Sequence, residues 1–309
     1  MKYLHKELNF LSSDGKNSIH AELFIPSDNN VRAVVQISHG MRDYIGRYKL
    51  LAEALTAAGF VLAGNDHLGH GESARTPNDY GFFASGGGYH YVIDDVYKMN
   101  RILKEQYPDK PIILLGHSMG SFICRLYASH YSETIDGLVI HGTAGPNPAV
   151  GAGKVVVKLL KIINGERHRS KFVCMLAEGG YSKSFDPAEG PDSWLTRDLP
   201  LVASRPTDPK TNFTFTLSGY GDLFKMLARC NAPIWFEEFP KNLPTLVVSG
   251  DRDPVGNFGK GVKYVYDNLK KNGANVELKL YPGARHELFN ETNREEVFAD
   301  LISWLGEIK

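Results

Sequence analysis

The 309-residue sequence predicts an α/β fold: a mostly parallel β-sheet with helices on both faces and an inserted helical cap. Three observations predict it. Short, wholly apolar runs of strand length alternate with helix-length segments, as expected of parallel strands buried on both faces. That alternation stops near residue 146 and resumes near 233, which marks an insertion rather than a loop, since so long a structureless stretch is rare in a compact domain. The opening strands are bounded by polar turn clusters, which places an antiparallel, hairpin-like edge before the parallel part.

Taken in order, the elements read as follows. The first 40 residues read as strands. Segments 18–25 and 32–38 are set off by Ser12-Ser13-Asp14-Gly15 and Pro26-Ser27-Asp28-Asn29-Asn30. Residues 48–58 are helical, with Gly59 as a C-cap. Residues 60–64 form a short apolar strand. Residues 91–106 are helical, punctuated by Pro108 and Pro111. Residues 111–116, Pro-Ile-Ile-Leu-Leu-Gly, form a continuous apolar strand, followed by a helix over 119–130 and a strand over 137–141. Beyond the insertion come a strand (244–249), a helix (261–271) closed by Asn272-Gly273, a strand (276–281) and a final helix (295–305). The expected organisation is core 1–145, cap 146–232 and core 233–309. Within the cap, residues 153–164 form a helix with Lys154, Lys158 and Lys161 on one face and seven Val, Leu or Ile residues over the rest. It reads as a helix packed on the core with lysines in solvent, or as a surface that touches micelles or bilayers while admitting a lipid.

Composition narrows the function classes. Lys+Arg and Asp+Glu are both 35, so no global field exists to hold nucleic acid. A hydrophobic fraction of 42% supports a buried core. Cys124, Cys174 and Cys230 are too few and too far apart for a disulfide framework or a zinc site. Residues 1–7 carry no apolar signal-peptide core, and no apolar run is long enough to span a bilayer. The expectation is a soluble cytoplasmic protein that needs no cofactor and no metal.

The chemistry is carried by Gly116-His117-Ser118-Met119-Gly120, a G-x-S-x-G between an apolar strand and a helix. A serine at so sharp a turn takes strained backbone angles, and side chains two residues either side would clash, hence the two glycines. The turn lifts the hydroxyl clear of the sheet, and the helix start aims N–H groups at developing negative charge. A serine hydroxyl is a poor nucleophile at neutral pH and needs a base held by an acid. In strand–turn–helix sites of this kind the chain order is Ser, acid, His. Of the histidines, only His286 lies beyond Ala232, and it follows the 276–281 strand. The acid should follow the 244–249 strand, where Asp251 and Asp253 both stand. Asp253 is favoured because it lies past the turn with Pro254 behind it, and Asp251 reads as a turn carboxylate. His39-Gly40-Met41 follows the 32–38 strand, so the Met41 N–H pairs with that of Met119 as the two oxyanion donors. His67-Leu68-Gly69-His70-Gly71 looks metal-like but has only two histidines and no helical ligand spacing, so it reads as a structural turn.

These residues resemble a family. His39-Gly40, Gly46-Arg47-Tyr48, the run from Asn65 to Ser73, Gly116 to Gly120, Gly250 to Asp253 and Gly283 to His286 are similar to the α/β-hydrolases grouped as monoacylglycerol lipases, lysophospholipases and serine aminopeptidase-like enzymes. Ser193 to Asp198 resembles that family's cap. The resemblance implies the α/β-hydrolase fold, with Ser118 as nucleophile, Asp253 as acid, His286 as base, and Met41 and Met119 as oxyanion donors. Two segments depart from the family: Asp43-Tyr44 stands where Glu-His is common, and residues 204–210 are atypical. The expected activity is a serine carboxylic ester hydrolase cleaving a lipid-like monoester, of monoacylglycerol or lysophospholipid type, through an acyl-enzyme. The alternative is an aminopeptidase-type amide hydrolase on the same triad, and a third reading is a non-catalytic binding protein on the same scaffold. The expected partner is a small-molecule ester with an apolar acyl chain, with transient membrane or micelle contact through the cap.

Overall fold

A computed structural model describes residues 3–308. Its strands are β1 (Tyr3–Leu11), β2 (Ser18–Pro26), β3 (Ala33–Ser38), β4 (Phe60–Asn65), β5 (Ile112–His117), β6 (Gly137–His141), β7 (Thr245–Gly250) and β8 (Val276–Tyr281). They form one eight-stranded sheet in the order β1-β2-β4-β3-β5-β6-β7-β8. β2 pairs antiparallel with both β1 and β4, and every other pairing is parallel. The antiparallel edge and the parallel centre are therefore where the turn clusters and apolar runs put them.

The helices are α1 (Lys49–Ala57), α2 (Gly88–Gln106), α3 (Met119–Tyr131), α4 (Ala149–Asn164), α5 (Lys171–Glu178), α6 (Leu199–Ser204), α7 (Leu217–Cys230), α8 (Pro233–Glu238), α9 (Lys260–Lys271) and α10 (Arg294–Leu305). The period-2 alternation of the strands divides the core into two layers. Val34, Ile112, Leu114, Leu138, Ile140 and Val247 face one way, against α2, α3 and α9. Val35, Ile37, Ile113, Leu115, Val139 and Val248 face the other, against α1 and α10. Both faces are covered, which is why β3, β5 and β7 are buried along their whole lengths.

Element bounds match the sequence expectations closely, with α2 as the main difference. It starts at Gly88 rather than at 91, because Gly87 takes a left-handed conformation (φ 77°) that turns the chain into the helix. Four helices, α4 to α7, lie between β6 and β8's partner β7 before α8 returns the chain to the sheet. In α4 only Val150, Gly153 and Val157 are buried, whereas Val155, Leu159, Ile162 and Ile163 are exposed. Lys161 is not a solvent lysine, since its Nζ donates to Ser218 Oγ at 3.4 Å.

Candidate active site

Parallel sheets gather their loops at the carboxyl ends of the strands, and ligands bind in the crevice there. Ser118 follows β5 directly and has φ 54°, ψ −119°, strained values for a residue with a Cβ. The flanking glycines are steric requirements. A Cβ on Gly120 would fall inside contact distance of the Ser38 carbonyl oxygen, and one on Gly116 would collide with the Gly120 carbonyl. Strand pairing and α3 hold the turn from both sides: Ser118 N donates to His141 O at 2.9 Å, and Ser121 N donates to Ser118 O at 2.8 Å. Met119 opens α3, so its N–H has no intrahelical acceptor.

The loop after β7 carries Asp253 and the loop after β8 carries His286, both buried. His286 Nδ1 lies 2.9 Å from Asp253 Oδ2. Because a carboxylate only accepts, Nδ1 carries the proton and Nε2 is the lone-pair nitrogen. That Nε2 is buried and has no hydrogen-bond partner, so it is not bonded to Ser118 Oγ. Catalytic hydrogen bonds of this type are often long without substrate. Asp253 is held in turn by Ser249 Oγ, which donates to Oδ2 at 3.0 Å, and by Val255 N, which donates to Oδ1 at 2.9 Å. Trp194 and His117 pack on the imidazole, with ring centroids 5.2 and 4.8 Å away. Asp251 points elsewhere and accepts from Gly283 N at 2.7 Å, a turn contact.

Ser118, His286, Met41 and Met119 line one cavity of about 380 Å³, with Asp253 directly behind His286. Its other walls include Phe122, Val150, Leu223 and Phe224. The five residues singled out by spacing and chain order thus converge. Gly40, beside Met41, allows the close approach, since a Cβ there would stand 3.1 Å from Ser118 Cβ.

Charged groups surround the polar wall. Arg47 donates to Asp43 Oδ1 at 2.8 Å and to Glu287 Oε2 at 2.9 Å, tying the loop after β3 to the base loop. Tyr48 OH donates to Asp43 Oδ2 at 2.6 Å. Burial works to raise the Glu287 carboxyl, but Arg47 and Arg205 outweigh it and bring it down to about 2. Burial likewise opposes ionisation of Asp43, and Arg47, His39 and the Tyr48 hydrogen bond together outweigh it, so Asp43 titrates below its ordinary range. The buried histidines behave oppositely. Desolvation holds His70 and His141 at about 3 and keeps His39, His67 and His117 neutral. His67 Nε2 meets Ser38 Oγ at 3.0 Å, and the His67 N–H donates to His39 Nε2 at 3.0 Å. These three-dimensional contacts make the 67–71 turn a brace under the loop after β3, as its structural reading expects.

Comparison with known proteins gives the family and the fold. Residues 29–293 match the serine aminopeptidase (S33) family of hydrolases. The chain is 30% identical over 290 residues to a monoacylglycerol lipase of Mycolicibacterium smegmatis, covering 90% of this chain and 89% of that protein. It is 31% identical over 282 residues to the monoglyceride lipase of Mus musculus, covering 89% and 82%. The chain belongs to this α/β-hydrolase family. Its fold is close to that of a thermostable carboxyl esterase from Bacillus coagulans solved with glycerol, with a TM-score of 0.92, 32% identity and 98% of each chain covered.

Sequence reasoning did not single out every residue at the site of this hydrolase. Arg42, Glu178 and Arg205 also line the cavity, and none of them carries a local pattern. Arg42 has φ 54°, and its Nη2 lies 2.7 Å from Glu178 Oε2. The one signal available was the atypical 204–210 segment, which contains Arg205.

Proposed function

We propose that this hydrolase cleaves a lipid-like carboxylic monoester through an acyl-enzyme on Ser118. His286 Nε2 removes the hydroxyl proton as Oγ attacks the ester carbonyl. Asp253 holds the imidazole in the required tautomer and stabilises the imidazolium. The N–H groups of Met41 and Met119 take the oxyanion. His286 then protonates the departing alcohol, and water hydrolyses the acyl-enzyme by the same steps in reverse. The observation that carries this reading is a buried Asp253–His286 pair whose lone-pair nitrogen is unpartnered at the wall shared with Ser118.

The segment 146–232 acts as the cap of this site, supplying Val150, Leu223 and Phe224 to an apolar wall suited to an acyl chain. The names of the relatives support the lipid ester, since the two described above, aligned over most of their lengths, are a monoacylglycerol lipase and a monoglyceride lipase. The acidic residues near the site are engaged by arginines rather than left to bind a free α-amine, which disfavours the aminopeptidase alternative.

The cap also makes transient contact with micelles or bilayers. Val155, Leu159, Ile162 and Ile163 on α4, with Phe172 and Met175 on α5, are exposed apolar side chains on adjacent helices. A contiguous apolar patch on a soluble face marks an interaction surface, and the lysines Lys154 and Lys158 beside it suit an interface with lipid headgroups.

The test is hydrolysis of monoesters of short and long acyl chains by wild type and Ser118→Ala, with fluorogenic aminoacyl amides in parallel. Ester turnover abolished by Ser118→Ala is expected. Equal rates for the two proteins would end the serine mechanism, and amide turnover exceeding ester turnover would favour the peptidase.

A further inference from the structure

The catalytic cavity is lined by side chains of opposite character. Phe122, Val150, Leu223, Phe224 and Leu227 line it from α3, α4 and α7. Arg42, Asp43, Glu178, Arg205 and Glu287 line it as well. Nearly all of these charges are matched. Arg42 pairs with Glu178 at 2.7 Å, and the same carboxylate accepts from Tyr220 OH at 2.6 Å. Arg47 pairs with both Asp43 and Glu287.

Arg205 is the exception. It is only 7% exposed. Its Nη2 donates to the Arg42 carbonyl at 3.1 Å, a neutral acceptor. The nearest carboxylate, Asp192, stands 3.9 Å from Nη1, beyond hydrogen-bond reach. Nε and Nη1 are buried with no partner. Buried polar groups are almost always satisfied, and a guanidinium removed from water with free donors is costly. Such a group in a catalytic cavity is completed by what enters the cavity.

We propose that Arg205 determines leaving-group specificity by binding an anionic oxygen group, a phosphate or a carboxylate, on the alcohol half of the ester. The planar guanidinium fork fits a two-oxygen anion in bidentate fashion. The acyl chain then lies against the apolar side chains of the lining, and the released alcohol carries the anion. This rests on the ester-hydrolase reading and adds to it a substrate class more specific than a neutral glycerol ester. Arg205 breaks no bond: the ester and water still give a fatty acid and an alcohol at Ser118. The competing role is structural, with Arg205 serving only as counter-charge to Glu287.

The test uses water-soluble hexanoyl esters of glycerol, glycerol 3-phosphate and glycerate, with wild type, Arg205→Gln and Arg205→Lys. Wild type is expected to prefer one of the two anionic esters to the neutral one, and the two arms identify phosphate or carboxylate. Arg205→Gln should lower kcat/KM for that ester roughly 10- to 100-fold, the worth of one hydrogen bond to a charged group, with the neutral ester changed by less than about 3-fold. Arg205→Lys, which keeps the charge and loses the fork, should fall between. Wild type with no preference for either anion, or a variant that slows all three esters alike, overturns the proposal. Should Arg205→Gln fail to fold, competitive inhibition of wild-type p-nitrophenyl butyrate hydrolysis by glycerol 3-phosphate or glycerate, compared with glycerol, decides the matter, and equal inhibition by all three overturns it. Failure of the underlying reading looks different: no ester is hydrolysed and Ser118 takes up no fluorophosphonate probe.

Discussion

Replacing Asp253 by Asn probes the mechanism at the cost of one atom exchange. Asp253 Oδ1 accepts from Val255 N, and Oδ2 accepts from both Ser249 Oγ and His286 Nδ1. An asparagine keeps its oxygen toward Val255 N, because the reverse orientation would set an NH₂ against an N–H donor. Its NH₂ then faces His286 and donates to Nδ1, which moves the imidazole proton to Nε2. The nitrogen that should receive the Ser118 proton would carry one already. A triad with the wrong tautomer loses about 10⁴-fold in kcat, or about 5.5 kcal/mol of transition-state stabilisation. Ser249 can rotate its hydroxyl, so folding should change by only about 1–2 kcal/mol. The assay is kcat/KM on p-nitrophenyl butyrate, with thermal unfolding as the folding control. Asp251→Asn serves as the contrast: its side chain accepts from the Gly283 N–H, which an amide oxygen can replace, and the variant should keep activity within about 10-fold. A folded Asp253→Asn enzyme that retains more than a tenth of wild-type activity, or an Asp251→Asn enzyme that loses as much, would refute the assignment of the acid.

Other expectations follow from the same contacts. Gly120→Ala should yield little folded protein or lose at least about 3 kcal/mol of stability in urea denaturation, because its methyl meets a backbone carbonyl that strand pairing cannot move. Arg47→Ala removes the partner of two buried carboxylates and should cost about 3–5 kcal/mol by the same measurement. The five buried neutral histidines titrate below their unfolded value of about 6.5, so their penalty is absent above that pH and accumulates as pH falls, by about 1.4 kcal/mol per pH unit for each histidine that stays neutral. Urea midpoints should therefore drop from pH 7 to pH 5, by less than the histidines alone would give because burial raises Asp66 to about 7 and Asp95 and Asp222 to about 6, and midpoints that rise over this range would show that these imidazoles are not kept neutral. Ile162→Asp combined with Ile163→Asp should weaken sedimentation with anionic vesicles while p-nitrophenyl butyrate turnover stays unchanged, since both side chains project from the solvent face of α4.

The sheet and the residues of the proposed triad were legible in the sequence because each rests on a short-range pattern. Residues 112–116 and 245–248 are so apolar that only a strand buried on both faces suits them, and G-x-S-x-G is a steric requirement of one turn. Asp253 and His286 followed from chain order once the strands before them were placed. The rest of the site was not legible, because it depends on contacts across long sequence separations. Arg47 is 240 residues from Glu287, and Arg42 is joined to Glu178 only by the packing of α5 over the cavity. The α4 helix shows the same limit. Its apolar periodicity is consistent with burial or with an exposed lipid-facing stripe, and only the neighbours it packs against decide between them.

The insertion between β6 and β7 has a consequence for biosynthesis. About 100 residues must be made before β7 can dock beside β6, so the central sheet closes over a long span, a high-contact-order step that folds slowly. The serine turn exists early in translation, while Asp253 and His286, the acid and base proposed above, emerge more than 130 residues later. Until β7 and β8 join, the nascent chain holds an uncovered strand edge at β6 and lacks both proposed partners of Ser118. Chains truncated before residue 286 should be inert and prone to aggregate, and ribosome-stalled chains read with a fluorophosphonate would time the onset of reactivity.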